Sequence, residues 1–235
     1  FDNIEEFREY LKKSENPLFF FDDDPDGTCS YLLLKKYVNK GKGVMVKAKP
    51  SVGEDYLNKV YENSPDLIVI LDMPIVDQEF IDKVNVPILW LDHHQPVERK
   101  GIHYYNPRLN KPADNNPTTY YAYKIAEDHN MWIAGAGCFA DWYYPEFTED
   151  LKKIYPGLIP NIKTKKPEEI LFGSKLGELI RTISFLLKGS TTEVNRSISI
   201  LSKIESPFEI LNQSTPRGKY LYKKVNTLRN EYKKV

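Results

Sequence analysis

Residues 17–27 read Pro17-Leu18-Phe19-Phe20-Phe21-Asp22-Asp23-Asp24-Pro25-Asp26-Gly27. A compact apolar run without polar alternation fits a strand buried on both faces, and such strands belong to parallel sheets covered by helices. Two later stretches have the same form. Asp66-Leu67-Ile68-Val69-Ile70-Leu71 leads into Asp72, and Val86-Pro87-Ile88-Leu89-Trp90-Leu91 leads into Asp92-His93-His94. Residues 44–48 supply one more strand. Between the strands lie helical patterns at 29–39, 55–62 and 76–84, the first with Leu32, Leu33, Leu34 and Tyr37 on its inner face. The pattern predicts an α/β fold, a parallel β-sheet flanked by helices.

After Tyr105 the texture changes. Residues 106–116 are rich in Pro and Asn and read as a loop. Helices are expected at 117–140, 146–155, 167–188, 190–204 and 215–233. No internal repeat interrupts this order. The chain therefore reads as an α/β core over 1–150 and a basic, mainly helical extension over 151–235. Charge divides at the same place: 16 Lys+Arg face 26 Asp+Glu in the first part, and 17 face 7 in the second. Bound cations account for the acidic front. The basic back suits a polyanion, although ordinary charged helix surfaces account for it as well.

Two cysteines, Cys29 and Cys138, have no zinc-type pairing, which suits a reducing cytoplasm better than a disulfide scaffold. No run approaches the roughly 18 apolar residues of a membrane span, so no membrane partner is expected. No basic-then-apolar pattern of a signal peptide is read at the start of the chain, so none is expected. It begins with Phe1 rather than Met, and residues are expected to precede it.

Each long strand ends in acid. Sites in open α/β sheets form outside the carboxyl ends of the strands, so this fold would crowd at least five carboxylates and two imidazoles into one crevice. Two like charges 4 Å apart repel by about 4 kcal/mol at an effective dielectric near 20. Divalent ions remove that conflict, and a carboxylate/His mixture suits Mn2+, Mg2+ or related metals. Three other readings of the aspartate run fit less well. Asp22-x-Asp24-x-Asp26-Gly27 matches the first half of a calcium-binding EF-hand loop, but its twelfth position is Leu33 instead of Glu. Asp24-Pro25-Asp26-Gly27-Thr28 resembles haloacid-dehalogenase-type phosphatases, where the first Asp is a covalent nucleophile, yet that scheme leaves Asp92-His93-His94 without a role. Helix capping explains one aspartate and not four.

Taken in order, the aspartate run, the strand-end Asp72, the Asp92-His93-His94 triplet and the segment Gly135-Ala136-Gly137-Cys138-Phe139-Ala140-Asp141 resemble the motifs of the DHH phosphoesterase superfamily, across about residues 17–145. Asp at position 22 is similar to RecJ-like nucleases; the pyrophosphatases and small oligonucleotide phosphatases of the superfamily usually have His there. The resemblance implies a DHH-type, Rossmann-like sheet with a two-metal site, Mn2+ as the leading ion and Mg2+ as the alternative. Asp72 is implied to bridge the ions, Asp22 and Asp26 to hold one, and His93 and Asp141 with Asp24 to hold the other. Asp92 is implied to orient an imidazole and His94 to meet the substrate phosphate, with Asp23 a bystander. The implied catalytic set is thus Asp72, His93, His94 and Asp92.

The expected activity is hydrolysis of single-stranded DNA or RNA from an end. A small-substrate phosphatase acting on oligoribonucleotides, dinucleotides or pyrophosphate is the alternative enzyme. A replisome-associated scaffold is the alternative of another class, disfavoured because every expected ligand is present. Replication and repair proteins are candidate partners. For substrate contact the candidates are His94, Arg108, suited to bidentate phosphate binding, and Thr118 and Thr119, at a helix start that suits an anion. His103 and His129 read as ordinary polar residues. Trp142-Tyr143-Tyr144 fits helix packing better than stacking on nucleobases. RecJ-like enzymes usually add a second domain with a Gly-Gly-rich motif after a long helix. No such motif is found, and the helix from 215 is the candidate connector.

Overall fold

The computed structural model describes residues 3–232 other than Ala48, Asp128, Ile162 and Thr164. The chain divides into two compact units, one up to His129 and one from Asn130 onward. The sequence reading puts its boundary at 150; contacts within the chain divide it earlier.

The first unit runs α1 (Ile4–Lys13), β1 (Pro17–Asp22), α2 (Pro25–Val38), β2 (Lys42–Val46), β3 (Ser51–Val52), α3 (Leu57–Asn63), β4 (Leu67–Leu71), β5 (Ile75–Val76), α4 (Gln78–Lys83), β6 (Ile88–Leu91), β7 (His103–Tyr105) and α5 (Thr118–Ile125). Five strands form a wholly parallel sheet in the order β2-β1-β4-β6-β7, and β3 pairs with β5 separately. This confirms the parallel sheet flanked by helices. Leu18, Phe20, Ile68, Ile70, Ile88 and Trp90 share one buried cluster with Val52, Val76 and Phe80. Phe19 and Phe21 instead meet Tyr31 of α2. Alternate residues of each strand thus enter different apolar layers, which is why the strands lack polar alternation. Each fully buried Phe or Leu contributes roughly 1.5–3 kcal/mol.

Several elements depart from the sequence reading. The first helix after β1 starts at Pro25 rather than 29, because Asp24 Oδ1 accepts from Gly27 N at 2.8 Å and Pro25 fits the first helical turn. The second strand lies at Lys42–Val46 rather than 44–48; Ala48 is outside the described residues. Helix α1 is absent from the sequence reading although Ile4, Phe7 and Leu11 recur at helical spacing, with Glu5 and Glu6 in the first turn and Lys12 and Lys13 in the last. The short strands β3, β5 and β7 carry too little pattern to announce themselves. The single helix expected at 117–140 is two. Glu127 and Asn130 adopt left-handed backbone, φ 56° and 61°, which a right-handed helix does not continue through.

Among its described residues the second unit holds α6 (Met131–Ala140), α7 (Thr148–Ile154), α8 (Pro167–Gly173), α9 (Lys175–Leu186), α10 (Thr191–Leu201), α11 (Pro207–Leu211) and α12 (Pro216–Tyr232). The mainly helical C-terminal part is as expected. Its core is built on α9, which buries Leu176, Leu179, Ile180, Ile183 and Leu186. The helix expected at 167–188 breaks at Ser174, whose extended backbone and hydroxyl cap α9 through Gly177 N at 3.0 Å. A Cβ on Gly177 would lie 1.9 Å from Leu171 O, so α8 and α9 approach this closely only over glycine. No helix among the described residues is long and apolar enough to cross a membrane.

Candidate metal centre

The sheet register aligns the acids. Phe21 pairs with Leu71, Leu71 with Leu91, and Leu91 with Tyr105. The next residue on each strand is therefore Asp22, Asp72, Asp92 and Asn106. The ladder runs one step beyond the strands, since Asp72 N donates to Leu91 O at 2.9 Å and Asp92 N to Tyr105 O at 3.1 Å. The chain moves from β1 outward to β2 and then returns to β4 on the other side of β1. That reversal opens a crevice between the carboxyl ends of β1 and β4, where Asp22 and Asp72 stand.

Asp72 adopts φ 59°, a left-handed backbone that costs a non-glycine residue about 1–2 kcal/mol. The turn holds a fully buried carboxylate against other acids. Asp22, Asp24 and Asp72 bring oxygens within 4.8 Å of one another, and Asp72, His93 and His94 do the same with oxygen and nitrogen. Asp72 belongs to both groups. His93 Nε2 lies 3.5 Å from Asp72 Oδ1 and 3.7 Å from Asp26 Oδ2, longer than a hydrogen bond and suited to donors around a common cation.

The electrostatics point the same way. Burial, then the charge of Asp24, pushes Asp22 up to about 6. Burial also raises Asp24. Asp72 is pushed well above the carboxylate range, by burial first and then by Asp26, Asp24 and Asp92. Burial and the neighbouring His94 lower His93 to about 4, so it is neutral at pH 7, as a ligating imidazole must be. Buried acids disfavoured as anions, beside a neutral imidazole, form a donor set that fits divalent cations.

Asp26 is held differently. Its carboxylate accepts from Thr118 N at 2.9 Å and Thr119 N at 2.7 Å, and its carbonyl accepts from Thr119 Oγ1 at 2.9 Å. Pro117 precedes α5 and provides no side-chain cap, so Asp26 caps that helix from another element and sits at its positive end. Thr118 Oγ1 donates to Asp72 Oδ1 at 2.9 Å. Both threonines are fully buried. The helix start does hold an anion, as the sequence suggests, but the anion is the protein's own Asp26. Thr118 and Thr119, read from the sequence as substrate contacts, here position carboxylates of the chain itself.

Asp92 is fully buried and accepts from His94 Nδ1 at 2.7 Å, His94 N at 3.1 Å, and Tyr104 Oη and Asn106 Nδ2 at 3.3 Å each. The imidazole it orients is that of His94, which is raised chiefly by this hydrogen bond. Asn106 and Tyr104 are not legible in the sequence as members of the site; their only signal is that Asn106 follows a short edge strand in register with Asp92. Arg108 Nε donates to Asp114 O at 3.0 Å, and its charge is felt by His93. Asp23 enters neither donor group. In the second unit, Asp141 is the half-buried C-cap of α6. An acid at the negative end of a helix opposes the macrodipole, so helix stability does not account for it.

The family model for the DHH family, N-terminal domain, matches residues 18–141. No curated protein matches the sequence. Among solved structures, the chain is similar to exonuclease RecJ bound to manganese, with TM-score 0.65, 14% identity, and coverage of 99% of this chain and 67% of that one. It is similar to RecJ from Thermus thermophilus in complex with Mn2+, with TM-score 0.61, 14% identity, and coverage of 97% and 37%. It is also similar to the DHH domain of a member of a family of ribosomal proteins, with TM-score 0.65, 16% identity, and coverage of 97% and 60%. The chain thus spans between 37% and 67% of the length of these proteins. At such identities the likeness is one of fold. The family match, by contrast, starts in β1, takes in every strand-end acid and reaches Asp141 over more than half of the sequence: the chain belongs to the DHH family.

Proposed function

We propose that this chain is a metal-dependent phosphodiesterase that removes nucleotides from an end of single-stranded DNA or RNA. The observation that carries the reading is the sharing of Asp72 between two donor groups at the ends of β1, β4 and β6. Asp72 is the proposed bridge. Asp22 and Asp26 are proposed to hold one divalent ion, and His93, Asp141 and Asp24 the other. Mn2+ is the leading ion, in keeping with the manganese named for the two RecJ structures, and Mg2+ the alternative. Two such ions, when bound, lower the pKa of a shared water and neutralise the phosphodiester.

The chain's own residues perform the positioning. Thr118 and the α5 N-terminus hold Asp72 and Asp26 in fixed orientations. Asp92 fixes the ring of His94, which is half-exposed and presents its other nitrogen to a phosphate oxygen. Arg108, near His93, is the proposed second phosphate contact. Cys29 and Cys138 are both buried and form no disulfide, which supports the cytoplasm as the proposed setting, with replication or repair proteins as partners.

The test is digestion of end-labelled single-stranded DNA, RNA and a dinucleotide with Mn2+, with Asp72→Asn as control. Progressive shortening of the strands is the expected result. Hydrolysis of the dinucleotide alone would turn the reading to a small-substrate phosphatase, and no hydrolysis of any substrate would sink it.

A further inference from the structure

Helix α6 ends in a way its sequence does not favour. Tyr143 N donates to Cys138 O at 2.9 Å and Trp142 N to Phe139 O at 3.2 Å. With Asp141 as C-cap, these two bonds make a Schellman motif, whose first residue past the cap takes left-handed backbone and is usually glycine. Here that residue is Trp142, at φ 57°. For a bulky side chain this is an outlier, so glycine would be the more stable choice.

The tryptophan gains no burial in return. It is 59% exposed, and its ring meets that of Phe172, itself 68% exposed, edge to face at 6.1 Å. The packing expected for Trp142 in the sequence is therefore not what the structure provides. Five large hydrophobic side chains are exposed among the described residues, and two of them form this pair. Strained backbone that presents an exposed aromatic pair points to binding. The position selects the ligand: Trp142 is one peptide bond from Asp141, the proposed metal ligand at which a phosphodiester is held.

We propose that Trp142 and Phe172 form a stacking platform for an unpaired nucleobase of the substrate strand. Every base offers a π-face, so such a platform is tolerant of sequence. It favours strands whose bases are free over paired ones, and it supplies binding energy remote from the reacting phosphate. The inference rests on the nucleic-acid reading above, and the following experiment separates the two.

Of the three tryptophans, Trp90 and Trp132 are fully buried, so the quenchable, red-shifted emission belongs to Trp142. Wild-type protein is titrated with a short single-stranded oligodeoxynucleotide, calcium replacing manganese, and with the same strand carrying abasic residues. The base-bearing strand is expected to quench that emission saturably and the abasic strand to bind at least about five-fold more weakly. Trp142→Gly is expected to raise the melting temperature by about 2 °C or more, to lose the quenching, and to bind both strands equally. Phe172→Ala is expected to weaken binding of the base-bearing strand as well. Wild-type affinity in Trp142→Gly, or equal binding of the two strands by the wild type, would overturn the platform. Quenching without any manganese-dependent hydrolysis would leave the platform standing and remove only the hydrolytic reading.

Discussion

Thr118 gives its hydroxyl hydrogen to Asp72 Oδ1 at 2.9 Å, from a position 46 residues further along the chain. The bond ties the start of α5 to the left-handed turn after β4. It fixes one oxygen of the acid shared by both donor groups. Thr118→Val keeps the shape and removes the donor. Loss of such an outer partner typically costs about 10–100-fold in metal affinity or activity. Manganese titration of the hydrolysis rate checks this, and Thr118→Ser should restore most of the loss. An unchanged manganese requirement in the valine variant would show that the bond is not what orients Asp72.

Asp72→Asn tests the shared acid itself. Asparagine tolerates left-handed backbone better than most residues, so φ 59° survives and the circular dichroism spectrum should match the wild type. Hydrolysis should fall by more than about 100-fold, beyond the loss for an outer partner. Turnover close to wild type would mean that the site works without a bridging carboxylate.

Much of this centre is legible in the sequence. Strands β1, β4 and β6 lack polar alternation and each runs into acid, so parallel pairing alone brings those acids to one edge of the sheet. What stays hidden depends on distant pairing. Thr118 and Thr119 mark a helix start that suits an anion, but Asp26, the anion they bind, is 92 and 93 residues away. Tyr104 and Asn106 escape notice because β7 has three residues, too few for periodicity. Trp142 reads as a packing residue because apolar rings beside a helix usually pack, and only the fold shows which ones stay in water.

Gly27 marks how tightly α2 leaves the sheet. A Cβ there would lie 2.7 Å from Asp22 N, 2.9 Å from Asp22 O and 3.0 Å from Asp22 Cβ. The nearest two are backbone atoms, so relief requires the first turn of α2 to move off the end of β1. Gly27→Ala should destabilise the fold by about 1–3 kcal/mol and weaken manganese binding, because Asp24 and Asp26 ride on that turn. Denaturant unfolding and manganese titration measure the two effects. A variant that unfolds normally and binds manganese normally would show that the turn has slack.

The crowded acids also set a pH dependence for the metal-free protein. Asp22 titrates at about 6 in the fold, while an unfolded aspartate titrates near 3.9. Between those values the folded state binds more protons than the unfolded state, so stability falls as pH rises. Asp24 and Asp72 are raised and act in the same direction. His94 is also raised and extends the loss above the ordinary histidine range. His93 is lowered to about 4 and opposes them, as one group against four. Elsewhere Asp66, Glu127, Glu193 and Glu209 are lowered by their hydrogen bonds, and their opposing contribution is complete once unfolded carboxylates have ionised. In EDTA the melting temperature should therefore decline from about pH 5 through pH 6 and beyond. Manganese binds the deprotonated acids, so its stabilisation should be slight at pH 5 and larger at pH 7.5. Melting curves with EDTA and with excess manganese at both pH values check the sign. A metal-induced shift that is the same at both would mean that the acids are already ionised without the ion, and that burial is not what keeps them waiting for one.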